Sequence, residues 1–427
     1  MTYAFIIPFL VLLMVNRMIF KSMIAPATLF VGIWTATITA LALCGDLFRP
    51  LSTETLLIYL LGACVFCFGG MLAATVANQA ISRSLVVLSS DRHYYCRVVL
   101  DFLFVGCLFA LPLFAHKVLG PVGGWSSSTA LFEVRRNAVA SSGQTTTFDI
   151  VNNLSVLSRF VAFGMFYEND GTKQRKWRAY LSLLPAVAYG SLSGSKEPVV
   201  VILLTVMFLT WLKAKSVNIK TAIFVVVLCI GSFSAGILVI NFAYARFSNT
   251  QDIGSRLAWV VASYWLGGPV AFDRVVQDPD SIPSTQTIDR FFLQTANSLG
   301  ANFEVPSLHA RYTPISDSNI SSDTNVYTIY FSYYKDYGWL GMVLLMLCVS
   351  FCVTVLYMLS LRGGPVSVVL CAQILVGTIF SIYSENYFLC LNEYLKALLF
   401  FAALYYGPMI SLSRQKRSTL TVYTGPV

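Results

Sequence analysis

The sequence predicts an all-α polytopic membrane protein with about eleven transmembrane helices. Three observations carry that prediction. Apolar and aromatic residues make up 56% of the 427 residues. Charged residues make up 11%, against roughly 25% in an average soluble domain. Continuous apolar runs of about 20 residues, each long enough to cross a bilayer, recur along the chain. A soluble core of this size could not hide so much apolar surface, and the mean hydropathy is +0.70. A β-barrel is excluded because the runs are continuous rather than alternating.

Taken in order, the spans are read at 3–20, 24–44, 56–78, 96–115, 149–167, 177–194, 198–213, 221–243, 338–361, 365–383 and 387–409. The first is expected to stay as a span, because no basic n-region or small-residue cleavage site marks it for removal. The loops between them alternate in charge. Arg17 and Lys21 lie in the first, and Arg83, Arg92 and Arg97 in the third. Lys173, Arg175, Lys176 and Arg178 lie in the fifth, and Lys213, Lys215 and Lys220 in the seventh. Arg362 lies in the ninth, and Arg414, Lys416 and Arg417 in the tail. The short even-numbered loops hold only Arg49 and Lys196. Positive residues collect on the cytoplasmic side, so this parity puts the N-terminus outside and the C-terminus inside.

The expected organisation is one integral membrane domain, 1–427, with outer loops at 116–148 and 244–337 and a basic cytoplasmic tail at 410–427. The larger outer loop contains an apolar, Gly/Pro-broken stretch, 257–272, that suits an interfacial or re-entrant segment. The formal charge of +9 sits in short loops, which is a topology signal, so no nucleic-acid partner is expected. The ten cysteines avoid both long outer loops, and no disulfide framework is expected. No cytosolic segment is long enough for a nucleotide-binding domain, and no phosphate-binding glycine motif occurs. Any chemistry belongs in the membrane or on its outer face.

Several residues there could carry it. Arg135 and Arg136 stand together on the outer side, against the charge bias, and guanidinium forks suit phosphate. Lys196 lies in the tight turn SLSGSKEP. Arg159 lies within the fifth span on one face with Asn152 and Ser155, where a charge marks a functional site by default. Glu393 and Lys396 of the last span are three apart and are expected to neutralise each other. Glu385, at the outer edge of the tenth span, is a candidate base, as are Asp336, Asp273 and His309. The large loop has six basic residues against nine acidic ones, so Arg246 and Arg256 are individual residues suited to specific roles. Tyr327, Tyr330, Tyr334 and Tyr337 recur at helical spacing. They suit either an aromatic belt or a stacking platform for sugar rings, with Asn325 as a polar contact. The DxD-like Asp278–Asp280 lacks a ligand shell, and no metal is expected.

These pieces together resemble the oligosaccharide repeat-unit polymerases of bacterial envelopes, the Wzy-type O-antigen polymerases. The carrying segments are NVYTIYFSYYKDYGWLG at 325–341, AWVVASYWLGGPVAFD at 258–273 and SGSKE at 193–197. Two long outer loops and the R-x10-G spacing of Arg256 and Gly267 add to the likeness. The resemblance covers nearly the whole chain, though its motifs are short. Lys196 stands where relatives often carry arginine, and neither Arg135 nor Arg136 has a glycine eleven residues on.

The resemblance implies a GT-C-like membrane glycosyltransferase in the bacterial inner membrane, with a periplasmic N-terminus and a cytoplasmic C-terminus. It implies undecaprenyl-pyrophosphate-linked oligosaccharides as donor and acceptor, no cofactor, and a chain-length regulator and a flippase in the same pathway. The growing glycan would move from its lipid onto the outer sugar of a new unit. A lipid pyrophosphate is a weak base and leaves with little protonation; it needs positive charge where negative charge develops. Arg135, Arg136, Lys196 and Arg256 are the residues expected to supply it, with Arg159 and Arg246 as further substrate contacts. An O-antigen ligase is the nearest alternative, disfavoured because the His-Asn pair of ligases is absent: Thr324 precedes Asn325. A lipid-linked oligosaccharide flippase is disfavoured by the long outer loop and the scarcity of intramembrane charge.

Overall fold

The computed structural model describes residues 2–45, 47–80, 90–120, 150–192, 197–243, 253–284, 287–305, 312–316 and 323–420. Among these the fold is almost wholly helical. The helices are α1 (Thr2–Phe20), α2 (Pro26–Leu43), α3 (Thr53–Ala80), α4 (Ser90–Leu119), α5 (Ile150–Tyr167), α6 (Lys173–Leu192) and α7 (Glu197–Ala214). There follow α8 (Ile219–Ala243), α9 (Ile253–Gln277), α10 (Thr287–Ser298), α11 (Ile329–Ser360), α12 (Pro365–Ile379) and α13 (Leu391–Leu420). Seven of these, α1 to α4, α7, α11 and α12 with its short 3-10 extension, are long and apolar enough to cross a membrane. Every apolar run read as a span falls on a helix. Helix is the expected form, because a lipid-facing backbone must satisfy its own hydrogen bonds.

Local sequence explains the boundaries. Pro26 and Pro365 open α2 and α12 at positions where a missing N–H costs nothing, and the residues before them are extended. Gly363, at φ 85°, stops α11. A second break lies inside α11, where Gly338 takes φ 64° and ψ −167°. The helix is thereby divided into 329–337 and a long apolar stretch after it, at the boundary the hydropathy suggests. A side chain at that backbone conformation would be strained, so glycine is required.

Two apolar cores form. One gathers Phe30, Trp34, Phe66, Phe272, Tyr330 and Met346 from α2, α3, α9 and α11. The other gathers Phe163, Tyr189, Phe208, Leu375 and Phe401 from α5, α6, α7, α12 and α13. Helix α12 touches α2, α7, α11 and α13 and joins the two cores. It is 72% buried over its apolar window, against 11% for α1 and 17% for α4, which therefore present most of their surface outward.

The two ends of the bundle differ in chemistry. At one end Arg97, Arg175 and Arg178 meet Glu168, Asp170 and Asp101. Lys213 donates to the Tyr167 and Asn169 carbonyls there. The Tyr167 hydroxyl donates to the Gly363 carbonyl at 3.0 Å. These residues come from the third, fifth, seventh and ninth loops or their edges, so those four basic loops meet at one end. At the other end α9 and the described residues 312–316 and 323–324 lie against α2, α3, the turn between them and the start of α11. A two-stranded antiparallel ladder, Thr313–Pro314 with Asp323–Thr324, pairs Thr313 with Thr324. The Arg49 amide donates to the Ile315 carbonyl at 3.1 Å.

Candidate functional site

Helix α9 is the lid of this second end, and its seat is built from small residues and one carboxylate. The stretch expected to be short and broken is a helix of 25 residues that holds Pro269 within it. Leu266, Val270, Phe272 and Val275 are buried against the core. The Ser52 amide and hydroxyl donate to Asp273 Oδ1 at 2.8 and 2.6 Å, and Gln277 donates to Oδ2 at 2.7 Å. Tyr59 donates to the Pro269 carbonyl at 2.8 Å, and Trp265 to Thr37 at 3.1 Å. At Gly268 a Cβ would sit 2.8 Å from the Ile382 carbonyl oxygen, so only glycine permits this approach. Both Asp273 oxygens are committed to the seat, which suits a clamp rather than a base.

The tyrosine stripe splits in two. Tyr330 is fully buried, donates to the Tyr59 carbonyl at 3.0 Å, and packs edge-on against Trp34. Tyr327 is buried, bonded to Thr313 Oγ1 at 2.6 Å, and stacks on Phe331. A sugar ring cannot stack on either without displacing the core, so the platform reading narrows to Tyr334 and Tyr337. Tyr334 is half-buried beside Phe272 and Trp339. Tyr337 is exposed and donates to Asp289 at 3.0 Å. Asn325 lies directly after the second short strand, half-buried. The reason is register: α3 and α9 close over the α11 face that carries Tyr330, a pairing that helical spacing alone does not reveal.

Asp336 sits on the same turn as Tyr334 and Tyr337. Its Oδ1 accepts from Ser284 Oγ at 2.5 Å, while Oδ2 is buried with no hydrogen-bond partner among the described residues. Glu385 is different. It is 1% exposed, and its Oε1 accepts from Tyr333 Oη at 3.0 Å and from the Tyr387 and Phe388 amides at 2.8 and 3.1 Å. Its Oε2 accepts from Phe388 and Leu389 amides at 3.1 and 3.0 Å. Burial pushes the carboxyl above its ordinary range, against the opposing pull of the Phe388, Leu389 and Tyr387 amides and the Tyr333 hydroxyl. Glu385 organises the turn between α12 and α13. Of the three described carboxylates read as candidate bases, Asp336 alone keeps an uncommitted oxygen. Tyr333, not singled out from the sequence, is the side chain that ties this turn to α11.

A second cluster joins α5, α7 and α13. Glu393 is shared: it accepts from Arg159 Nη2 at 3.0 Å and also acts electrostatically on Lys396, which donates to Asn153 Oδ1 at 2.9 Å. Arg159 Nε is buried without a hydrogen-bond partner, while Glu393 stays 40% exposed. Glu197, the first residue of α7, lies close enough to act electrostatically on Arg159. Arg159 therefore faces the first turn of α13, not the basic end of the bundle. Lys196 precedes Glu197 in the chain, but Lys196, Arg135, Arg136, Arg246 and His309 lie outside the described residues. Arg256 is carried on the first turns of α9, and its side chain also lies outside them. No group of histidine, cysteine and acidic residues able to hold a metal occurs among the described residues.

No family model matches this chain, and no curated protein or solved structure matches it.

Proposed function

We propose that this protein is an integral membrane glycosyltransferase that polymerises lipid-pyrophosphate-linked oligosaccharide repeat units at the outer face of a bacterial inner membrane. The observation that supports it best is the convergence of two cations within apolar helices, Arg159 and Lys396, on one cluster with Glu393 and Asn153. Charges so placed are costly and are retained for ligands or transport. An eleven-span topology with the N-terminus in the periplasm accords with the basic loops meeting at one end of the bundle.

In this reading the pyrophosphate of the donor lies against Arg159 and the arginine and lysine residues of the outer segments: Arg135, Arg136, Lys196, Arg246 and Arg256. Fixed positive charge stabilises the pyrophosphate as the glycosidic bond breaks. Asp336 is the residue best placed to take the proton of the acceptor hydroxyl, because its Oδ2 is uncommitted. Tyr334, Tyr337 and Asn325 flank the acceptor glycan, and His309 is an alternative base. Glycan transfer and release of undecaprenyl pyrophosphate balance without a cofactor. A chain-length regulator and a flippase are the proposed pathway partners.

The test is incubation of the purified protein in liposomes with the lipid-linked repeat unit of its host, without nucleotide, followed by electrophoresis of the glycans. A ladder of lipid-linked oligomers is expected. Arg256→Ala and Asp336→Asn are expected to abolish it or lower it about 100-fold or more, the scale of losing a charge-stabilising group or a general base. Unchanged repeat unit, in a preparation shown to bind that lipid, would overturn the polymerase reading in favour of ligase or flippase. Lipid A-core supplied as acceptor then separates those two.

A further inference from the structure

The basic end of the bundle carries a cleft that glycan transfer would not use. Its volume is about 240 Å³, and α4, α5 and α6 form its walls. Arg97, Arg175 and Arg178 line it with Asp101 and Glu168, and Val98, Leu100, Met165 and Ala179 make its apolar side. Arg97 Nε lies 3.0 Å from Glu168 Oε2, Arg175 Nε 3.1 Å from Asp170 Oδ2, and Arg178 Nη1 2.5 Å from Asp101 Oδ2. These pairs hold the guanidinium planes in place but use only part of each five-donor fork.

The surroundings are net positive. Residues 90–101 and 168–178, with Lys213, hold seven basic side chains against four acidic ones. Arg92, one turn and a half before Arg97 on α4, is 8% exposed beneath the Tyr406 ring. Its Nε and Nη2 have no hydrogen-bond partner among the described residues. Exposed aromatics, Tyr94, Trp177 and Tyr180, stand at the same level, as at a headgroup layer. From the cleft an exposed apolar stripe runs along α4 through Val98, Phe102, Val105 and Phe109. Those positions are spaced by four, three and four, so they share one helix face.

The geometry points to a binding site for an anionic phospholipid of the leaflet at the basic end. Its phosphodiester lies on the guanidiniums of Arg97, Arg175 and Arg178, and an acyl chain runs along the α4 stripe. A cleft with an arginine floor suits a phosphodiester, which accepts from planar forks. The continuous stripe suits a lipid over a free anion, because a free anion gains nothing from Phe102 and Phe109. The site needs only a membrane-embedded bundle, so it stands or falls apart from the polymerase reading.

Native mass spectrometry of the full chain in detergent tests it, with phosphatidylglycerol, phosphatidylcholine and inorganic phosphate as the probes. Phosphatidylglycerol is expected to give adducts at roughly tenfold lower concentration than phosphatidylcholine, a difference of about 1.4 kcal/mol. Arg175→Ala with Arg178→Ala is expected to remove that preference. Lys215→Ala with Lys220→Ala, which removes as much charge from an exposed loop, is expected to keep it. If the alanine pair does not fold, Arg178→Lys asks the same question, since it keeps the charge beside Asp101 and loses the fork. Equal adducts for the two lipids, or an unaltered preference in the cleft variants, would overturn the site. Displacement of the lipid by millimolar inorganic phosphate would reassign the cleft to a free anion and overturn the lipid assignment.

Discussion

At the scale of single residues, two buried charges have opposite logic. Glu385 is a carboxylate enclosed by donors: Tyr333 and the amides of Tyr387, Phe388 and Leu389. Glu385→Ala leaves those donors without partners, and the expected cost is about 2–4 kcal/mol, read as a lower unfolding temperature in detergent. Burial raises its folded pKa above the unfolded value. Its contribution is therefore complete below the unfolded pKa of about 4.3 and declines as pH rises through the folded value. The stability of the wild type is expected to fall relative to Glu385→Gln over that window; a pH-independent difference would show that the carboxyl keeps an ordinary pKa. Arg159 and Glu393 are a pair between helices, with Glu393 40% exposed. That exposure puts their coupling near the low end for ion pairs, about 1 kcal/mol. A double-mutant cycle of Arg159→Met and Glu393→Met on unfolding measures it, and additive effects would remove the pair as a bond between α5 and α13. The sequence marked Arg159 and Glu385 as unusual, because charge in or beside an apolar run is legible. Their partners were not, since each is supplied by a segment distant in the chain or by backbone amides.

At the scale of elements, α9 decides how the end opposite the basic loops is closed. Its apolar character is plain from the sequence, but its seat is a matter of contact: Asp273 on Ser52, Pro269 on Tyr59, and Gly268 against Ile382. Gly268→Ala forces a Cβ against a backbone oxygen that cannot move freely. The expected result is an outward shift of α9 and a loss of about 1–3 kcal/mol, the usual scale of overpacking. Limited proteolysis reads it as faster cleavage within 273–298, with helices of the basic end unaffected. Protection equal to wild type would mean that α9 is held without this approach. The sequence did place the start of the ninth span at 338, where the tyrosine-rich segment gives way to an unbroken apolar run, but not the glycine break there. The burial of Tyr327 and Tyr330 was not disclosed, because a stripe at helical spacing looks alike whether it meets protein, lipid or sugar.

For the whole molecule, the separation of a basic end from the end that α9 closes is the basis of the proposed orientation. In a cysteine-free background, Ala301→Cys should react with a membrane-impermeant maleimide on intact spheroplasts, and Ser216→Cys should react only after permeabilisation. The reverse pattern would invert the topology and move the proposed chemistry to the cytoplasmic face. In the proposed orientation the arginine cleft between α4 and α6 faces the inner leaflet.

The sequence by itself determined that the chain is a helical membrane protein, where its apolar helices lie, and which loops share an end. Those properties are additive along the chain: transfer free energy sums over a run, and loop charge sums over a loop. Tertiary structure decided the partners. It paired Glu393 with Arg159 beside Lys396, committed Glu385 and Asp273 to holding backbone and hydroxyl donors, and left Asp336 with one oxygen that has no hydrogen-bond partner among the described residues. Pairing of that kind depends on which helix faces meet, and the apolar surfaces of a membrane helix are too alike in sequence to specify their neighbours.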